Sequence, residues 1–198
     1  MALQSRVLTP ATGLSDYLED IAKLRIEVFR EWPYLYDGSL DYERTYMRKF
    51  SNAAGAVAVV AFDGDKVAGA STGMPLVQAD PDFQAPFAAN GMALERIFYC
   101  AESVLRAPYR GRGLYRAFFD GRESHARALG GFETCTFCAV VRPDDHPLRP
   151  PGAPSLEPVW RHFGYTPEPS LACHFAWKDV DQDHSTEKTL IFWKKDLS

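Results

Sequence analysis

Two arginines and two glycines alternate at Arg110-Gly111-Arg112-Gly113, a composition suited to holding an anion. Glycine lets backbone N–H groups approach a ligand with no Cβ in the way, and the arginines add positive charge. The chain on either side sharpens the reading. A run rich in aromatic and β-branched residues over 94–105 precedes the turn, and Leu114, Ala117, Phe118, Gly121, His125 and Leu129 then fall along one side of a helical period. A strand that passes through a glycine turn onto a helix presents that helix's free N–H groups and the positive end of its dipole. Several converging donors suit a pyrophosphate better than a carboxylate. Two nucleotide patterns do not fit: a dinucleotide fingerprint would need a third glycine at Arg116, and a Walker loop would need Gly-Lys followed by Ser or Thr.

Other chemistry-bearing residues point nowhere else. Cys135 and Cys138 stand three apart in a strand-like run, so they face opposite sides and cannot easily share a metal; no metal site is expected. The five histidines are dispersed and no Gly-x-Ser-x-Gly elbow occurs, which argues against a hydrolase. Cys100, Cys135, Cys138 and Cys173 all lie in apolar or aromatic surroundings, as buried free thiols of a reducing compartment do.

The elements that must position the turn can be read from periodicity. Ser15 and Asp16 are placed to cap a helix with apolar positions Tyr17, Ile21, Leu24 and Val28, ending at Trp32-Pro33. A second helix is predicted over 40–50. Strands are predicted over 56–62 and 66–72, joined by Asp63-Gly64-Asp65 as a hairpin turn. The segment 79–92 holds two prolines and no clear period, and no element is predicted there. Further strands are predicted over 94–105, 132–141, 171–177 and 189–193, and further helices over 113–129, ending at Gly130-Gly131, and 156–163. The proline-rich segment 142–154 reads as an ordered surface loop. A crossover unit mixed with hairpins implies an α/β sheet of mixed direction.

At 198 residues, 46% of them hydrophobic, the chain fits one domain with a real core. Its net charge of -4 gives no long-range attraction for phosphate backbones or anionic lipids. No stretch approaches the roughly 20 apolar residues of a membrane span. Nucleic acid and membrane partners are therefore not expected, and a cytoplasmic protein is.

The stretch from Val104 through Arg110-Gly111-Arg112-Gly113 to Leu114 resembles motif A of the GNAT-type N-acetyltransferases, Arg/Gln-x-x-Gly-x-Gly/Ala after a strand. It departs at the sixth place, where Tyr115 stands instead of Gly or Ala. A second stretch, Val159-Trp160-Arg161-His162-Phe163-Gly164-Tyr165, resembles the family's short helix ending in Tyr-x-x-x-Gly-Phe. The resemblance covers most of the chain, with a core of about 15–195. It implies a single α/β domain, with a mixed, mostly antiparallel central sheet that has a splayed strand pair and is flanked by helices.

The resemblance also implies acyl-CoA, with acetyl-CoA first, as co-substrate, and direct transfer to a small-molecule amine in a ternary complex. Ser103, Val104 and Leu105 would pair with the pantetheine arm; Arg110, Gly111, Arg112, Gly113, Leu114 and Tyr115 would hold the pyrophosphate. Glu102, at the bulge end of the strand beside the thioester, is the first choice for general base, with Glu95 the competitor. Either glutamate can instead simply pair with a cation such as Arg96 or Arg106. Trp160 stands where the family places its acid tyrosine, so the acid is unassigned among Tyr165, Tyr115, Tyr109 and water. The acceptor pocket is expected from Tyr34, Tyr36 and Asp37 together with Asp144, Asp145 and His146. An acyl-CoA sensor without turnover is the rival reading, and a homodimer through the C-terminal strands is left open.

Overall fold

The computed structural model describes residues 3–197. Its centre is a hairpin of β2 (Val57–Asp63) and β3 (Lys66–Pro75) turning at Gly64, whose φ of 60° is readily reached by glycine. Six successive residues of β2 are buried. Val57, Val59 and Ala61 pack on one side of the sheet and Ala58, Val60 and Phe62 on the other. A strand covered on both faces reads as an apolar run instead of an alternation.

The sheet has seven strands in the order β1-β2-β3-β4-β5-β7-β6, with β1 Leu3–Leu8, β4 Ile97–Leu105, β5 Thr134–Val140, β6 Thr166–Lys178 and β7 Ser185–Asp196. Every neighbouring pair is antiparallel except β4 and β5. The mixed, mostly antiparallel sheet expected from the sequence is the one observed. Helices α1 (Leu18–Phe29), α2 (Leu40–Ser51) and α3 (Pro81–Ala89) cover one face, burying Ile21, Leu24, Met47, Phe50 and Phe87. Helices α4 (Leu114–Leu129) and α5 (Glu157–His162) cover the other, where Phe118, Phe119 and Ala126 meet Val57, Val59 and Phe98.

Some local expectations are corrected. Ser15 and Asp16 do not cap α1: a 3-10 turn at Leu14–Tyr17 runs straight into the helix, and the Ser15 hydroxyl donates to Asp16 instead. The segment without a predicted element contains α3. Asp80 caps it by accepting from the Asp82 N–H, and Pro81 sits at the first position, where its missing N–H is of no consequence. Pro86 forfeits an internal bond, but Phe87 packs edge-on to Phe192 in the core. Strand β1 has no predicted counterpart because four of its six residues are exposed, as suits a sheet edge. The predicted strand over 94–105 begins only at Ile97, since Leu94–Arg96 is a 3-10 turn.

Candidate active site

Strands β4 and β5 run side by side only at Ile97, Phe98 and Tyr99 and then part, β4 following β3 and β5 following β7. A bulge marks the parting. Thr72 faces Glu102 while Met74 faces Tyr99, so β4 carries one residue more than β3 across that interval. Beyond it, the side of β4 that faces β5 has no strand partner among the described residues at Ser103, Val104 and Leu105. The Val104 and Leu105 side chains are buried and the Ser103 hydroxyl meets that of Ser71 at 3.2 Å, so backbone is what this edge offers. Arg122 of α4, fully enclosed, fixes the bulge from below by donating to the carbonyls of Glu102 at 3.2 Å and Thr72 at 3.5 Å.

From Leu105 the chain passes through a 3-10 turn (Ala107–Tyr109) into Gly111 and Gly113, with φ of 72° and 81°. A Cβ on either would meet no protein atom within 4 Å, so the path of the backbone, not packing, calls for glycine. The N–H groups of Gly111, Arg112, Gly113, Leu114 and Tyr115 have no backbone acceptor among the described residues. Arg110 braces the turn, its Nε donating to the Leu105 carbonyl at 3.0 Å and its Nη1 pairing with Glu31 at 2.8 Å. Arg112 is exposed and lies over the Tyr109 ring. Tyr115 turns its ring towards Phe118 and Phe119, and burial pushes its phenol up. A row of free N–H groups at the start of a sixteen-residue helix, with a cation beside it, fits a diphosphate.

Glu102 is buried. Arg25 of α1 reaches its Oε2 at 2.6 Å and Tyr46 of α2 donates to the same oxygen at 3.3 Å. The same guanidinium grips Glu43 of α2 at 2.5 Å. Burial works against the charge on Arg25, but Glu102, Tyr46 and Glu43 outweigh it and hold its pKa well above the ordinary value. Burial and the Glu102 charge push the Tyr46 phenol up, so it keeps its proton and donates. Oε1 of Glu102 has no hydrogen-bond partner among the described residues. Glu102 thus does pair with a cation, though with neither of the two named from the sequence: Arg96 pairs with Glu133 and Arg106 with Glu27. Glu95 is exposed on the turn before β4.

No family model matches the sequence, and a search of curated proteins returns no match. Solved structures do match. An acetyltransferase of the GNAT family from Streptococcus pneumoniae superposes with a TM-score of 0.58 at 13% identity, covering 98% of this chain and 99% of that one. The N-acetyltransferase from Staphylococcus aureus Mu50 gives 0.60 at 13%, covering both chains fully. Arabidopsis thaliana NAA60 in complex with acetyl-CoA gives 0.62 at 12%, covering 98% of each. The fold is the GNAT fold.

Within this GNAT fold the remaining candidates are distributed unevenly. Tyr34 lies close to the Glu102 cluster: burial and Cys138 push its phenol up, while Arg25 opposes and Glu102 adds to the rise. Tyr36 sits by Glu43, and burial together with that carboxylate raises its phenol. Asp37 is turned outward, held between Arg30 and Lys178 at 2.6 Å each, contacts that keep its carboxyl low. The two segments expected to build the acceptor pocket do adjoin. Arg142 donates to the carbonyls of Pro33 and Tyr34, and the His146 ring meets Trp32 at 5.4 Å. Asp144 and Asp145 are exposed on that loop, Asp144 beside Arg149 at 2.5 Å. His146 borders a hollow of about 440 Å³, lined also by Glu187, in which Asp179 already pairs with both Arg142 and Lys188.

Two of the three tyrosines considered as acids are engaged elsewhere, Tyr165 with Glu123 and Tyr109 with Asp63, and Trp160 packs edge-on to Phe137 and Trp193. Cys135 lies with Cys100 on the α4 side and Cys138 with Cys173 on the other, as the odd spacing requires. Arg25, Glu43, Tyr46 and Arg122 have no place in the sequence reading. The only signal available was their position on helices beside apolar residues, where a charged side chain that packs inward needs a buried partner.

Proposed function

We propose that the chain is an acyl-CoA-dependent N-acyltransferase, passing an acetyl group from acetyl-CoA directly to a small-molecule amine in a ternary complex. The observation that carries this reading is the unpartnered edge of β4, which runs from the bulge straight into the glycine turn with its free N–H groups. Edge and turn together suit an extended pantetheine followed by a diphosphate, held by the backbone of Ser103, Val104 and Leu105 and by the N–H groups from Gly111 to Tyr115. The complex of NAA60 with acetyl-CoA supports the choice of donor, and four free, buried cysteines support a cytoplasmic setting.

Acetyl-CoA supplies an activated thioester carbonyl. A β4 N–H at the gap donates to its oxygen and steadies the charge that grows there as the amine attacks. Glu102 takes the proton that the ammonium must shed before its nitrogen is nucleophilic. Arg25 and Tyr46 hold one carboxylate oxygen and leave the other for that proton. The carbon–nitrogen bond forms as the carbon–sulfur bond breaks, and the sulfur is protonated by water.

Titration calorimetry with acetyl-CoA tests the donor site. Gly113→Leu forces a β-carbon into a left-handed turn, and Arg110→Glu sets a negative charge beside it. Each is expected to weaken binding by about tenfold or more, roughly 1.4 kcal/mol; unchanged affinity in both would remove the reading. Release of CoA thiol with a panel of amines tests turnover, and binding without release across a broad panel would favour the sensor.

A further inference from the structure

On the α1–α2 face of the sheet, two carboxylates share one guanidinium: Glu43 and Glu102 both close on Arg25 at 2.5 and 2.6 Å. The group carries one net negative charge in the protein interior. Arg25 does not exhaust its hydrogen-bonding capacity. Oε1 of Glu43, Oε1 of Glu102 and the hydroxyl of Thr72 are all buried without a hydrogen-bond partner among the described residues, in residues 0%, 6% and 0% exposed. Thr72 is in register with Glu102 across the bulge. A buried polar atom left unpaired is costly, and more so when charged, so three on neighbouring elements of one face point to a donor-rich ligand.

A cleft of about 310 Å³ adjoins this group between α2 and α3. Its walls include Tyr42, Tyr46, Phe50, Met74, Phe83 and Tyr99. Tyr46 belongs to both places: its ring lines the cleft and its hydroxyl touches Glu102. Aromatic and apolar side chains make up most of the lining, Lys49 and Asp80 add one charge of each sign, and the carboxylates lie behind Tyr46.

We propose that the acceptor is a primary amine with an aromatic or bulky apolar body, its ammonium received by Glu43, Glu102 and Thr72 and its body in the α2–α3 cleft. This rests on the transferase reading above and narrows it to a substrate class. An ammonium has three donors and one positive charge, which matches three orphan oxygens and one surplus negative charge. An aromatic or apolar body suits a cleft with this lining.

The test is calorimetric binding of phenethylamine to the full chain without acetyl-CoA, beside ethylamine, which lacks the ring, and 3-phenylpropan-1-ol, which lacks the charge. Phenethylamine is expected to bind at least about tenfold more tightly than either. Glu43→Gln, checked for folding by its melting curve, is expected to abolish the preference for the amine over the alcohol. Thr45→Trp, a change at an exposed position lining the cleft, is expected to lose phenethylamine while keeping acetyl-CoA. Equal binding of ethylamine, no binding of phenethylamine, or full binding by Thr45→Trp would overturn the inference. Acetyl-CoA titration is read separately, so its failure would strike the transferase reading and leave the amine site standing on its own data.

Discussion

Glu102 holds one carboxylate oxygen against Arg25 and Tyr46 and leaves the other without a partner among the described residues. The Glu102→Gln variant keeps the shape of the side chain and removes its ability to take a proton. Steady-state thiol release is expected to fall about a hundredfold, within the range for loss of a positioned base, while acetyl-CoA affinity measured by calorimetry stays within a factor of two or so. The deficit should be largest at low pH, where free amine is scarce, and shrink as pH approaches the amine's own pKa; a deficit constant across pH would move the role to water or to another carboxylate. Glu102 was legible in the sequence because it stands a few residues before the glycine turn on one strand. Arg25, Glu43 and Tyr46 were not, because they come from two helices far along the chain and meet Glu102 only through the tertiary fold.

The element on which the glycine turn depends is α4, and its seat on the sheet is set by Gly121. A Cβ there would stand 2.7 Å from Cγ2 of Val59 in β2. Exchanging glycine for alanine within a helix gains about 1 kcal/mol of intrinsic propensity, whereas overpacking of this kind costs about 1–3 kcal/mol. Val59 is β-branched and held in a central strand, so it cannot turn aside and the cost wins. Gly121→Ala is expected to lower stability by about 1 kcal/mol in urea titration, and to weaken acetyl-CoA binding as α4 lifts and carries its N-terminus with it. Helix α4 and the β2–β3 hairpin were readable because their signals are local, a clean helical period and a tight turn. Helix α3 was not, since Pro81 and Pro86 mask its period even though Asp80 supplies the cap. The full lengths of β6 and β7 were hidden too, because much of the added strand is exposed and sets up no apolar alternation.

Across the whole molecule, Arg142 gathers three distant segments: it donates to the carbonyls of Pro33 and Tyr34 and pairs with Asp179, which Lys188 also meets at 3.1 Å. Burial pushes the Asp179 carboxyl up, but Arg142 and Lys188 outweigh it and leave it below its ordinary 3.8. A carboxyl depressed in the folded state contributes stability above its unfolded value and loses it as pH falls through its folded one. Acid unfolding followed by circular dichroism should therefore steepen below about pH 4, and Asp179→Asn should both flatten that limb and cost about 3–5 kcal/mol at neutral pH, the usual penalty for breaking a buried pair. The parting of β4 from β5 has its own consequence at this scale. Among the described residues, three ladder pairs, with the Arg96–Glu133 contacts just before them, join one four-stranded half of the sheet to the other three strands. The amides of Ser103, Val104 and Leu105 that face the gap should exchange with deuterated solvent far faster than their neighbours paired to β3. On the proposed reading a donor lying along that edge would slow them selectively and raise the melting temperature, serving as the missing rung between two halves that the polypeptide alone leaves loosely sewn.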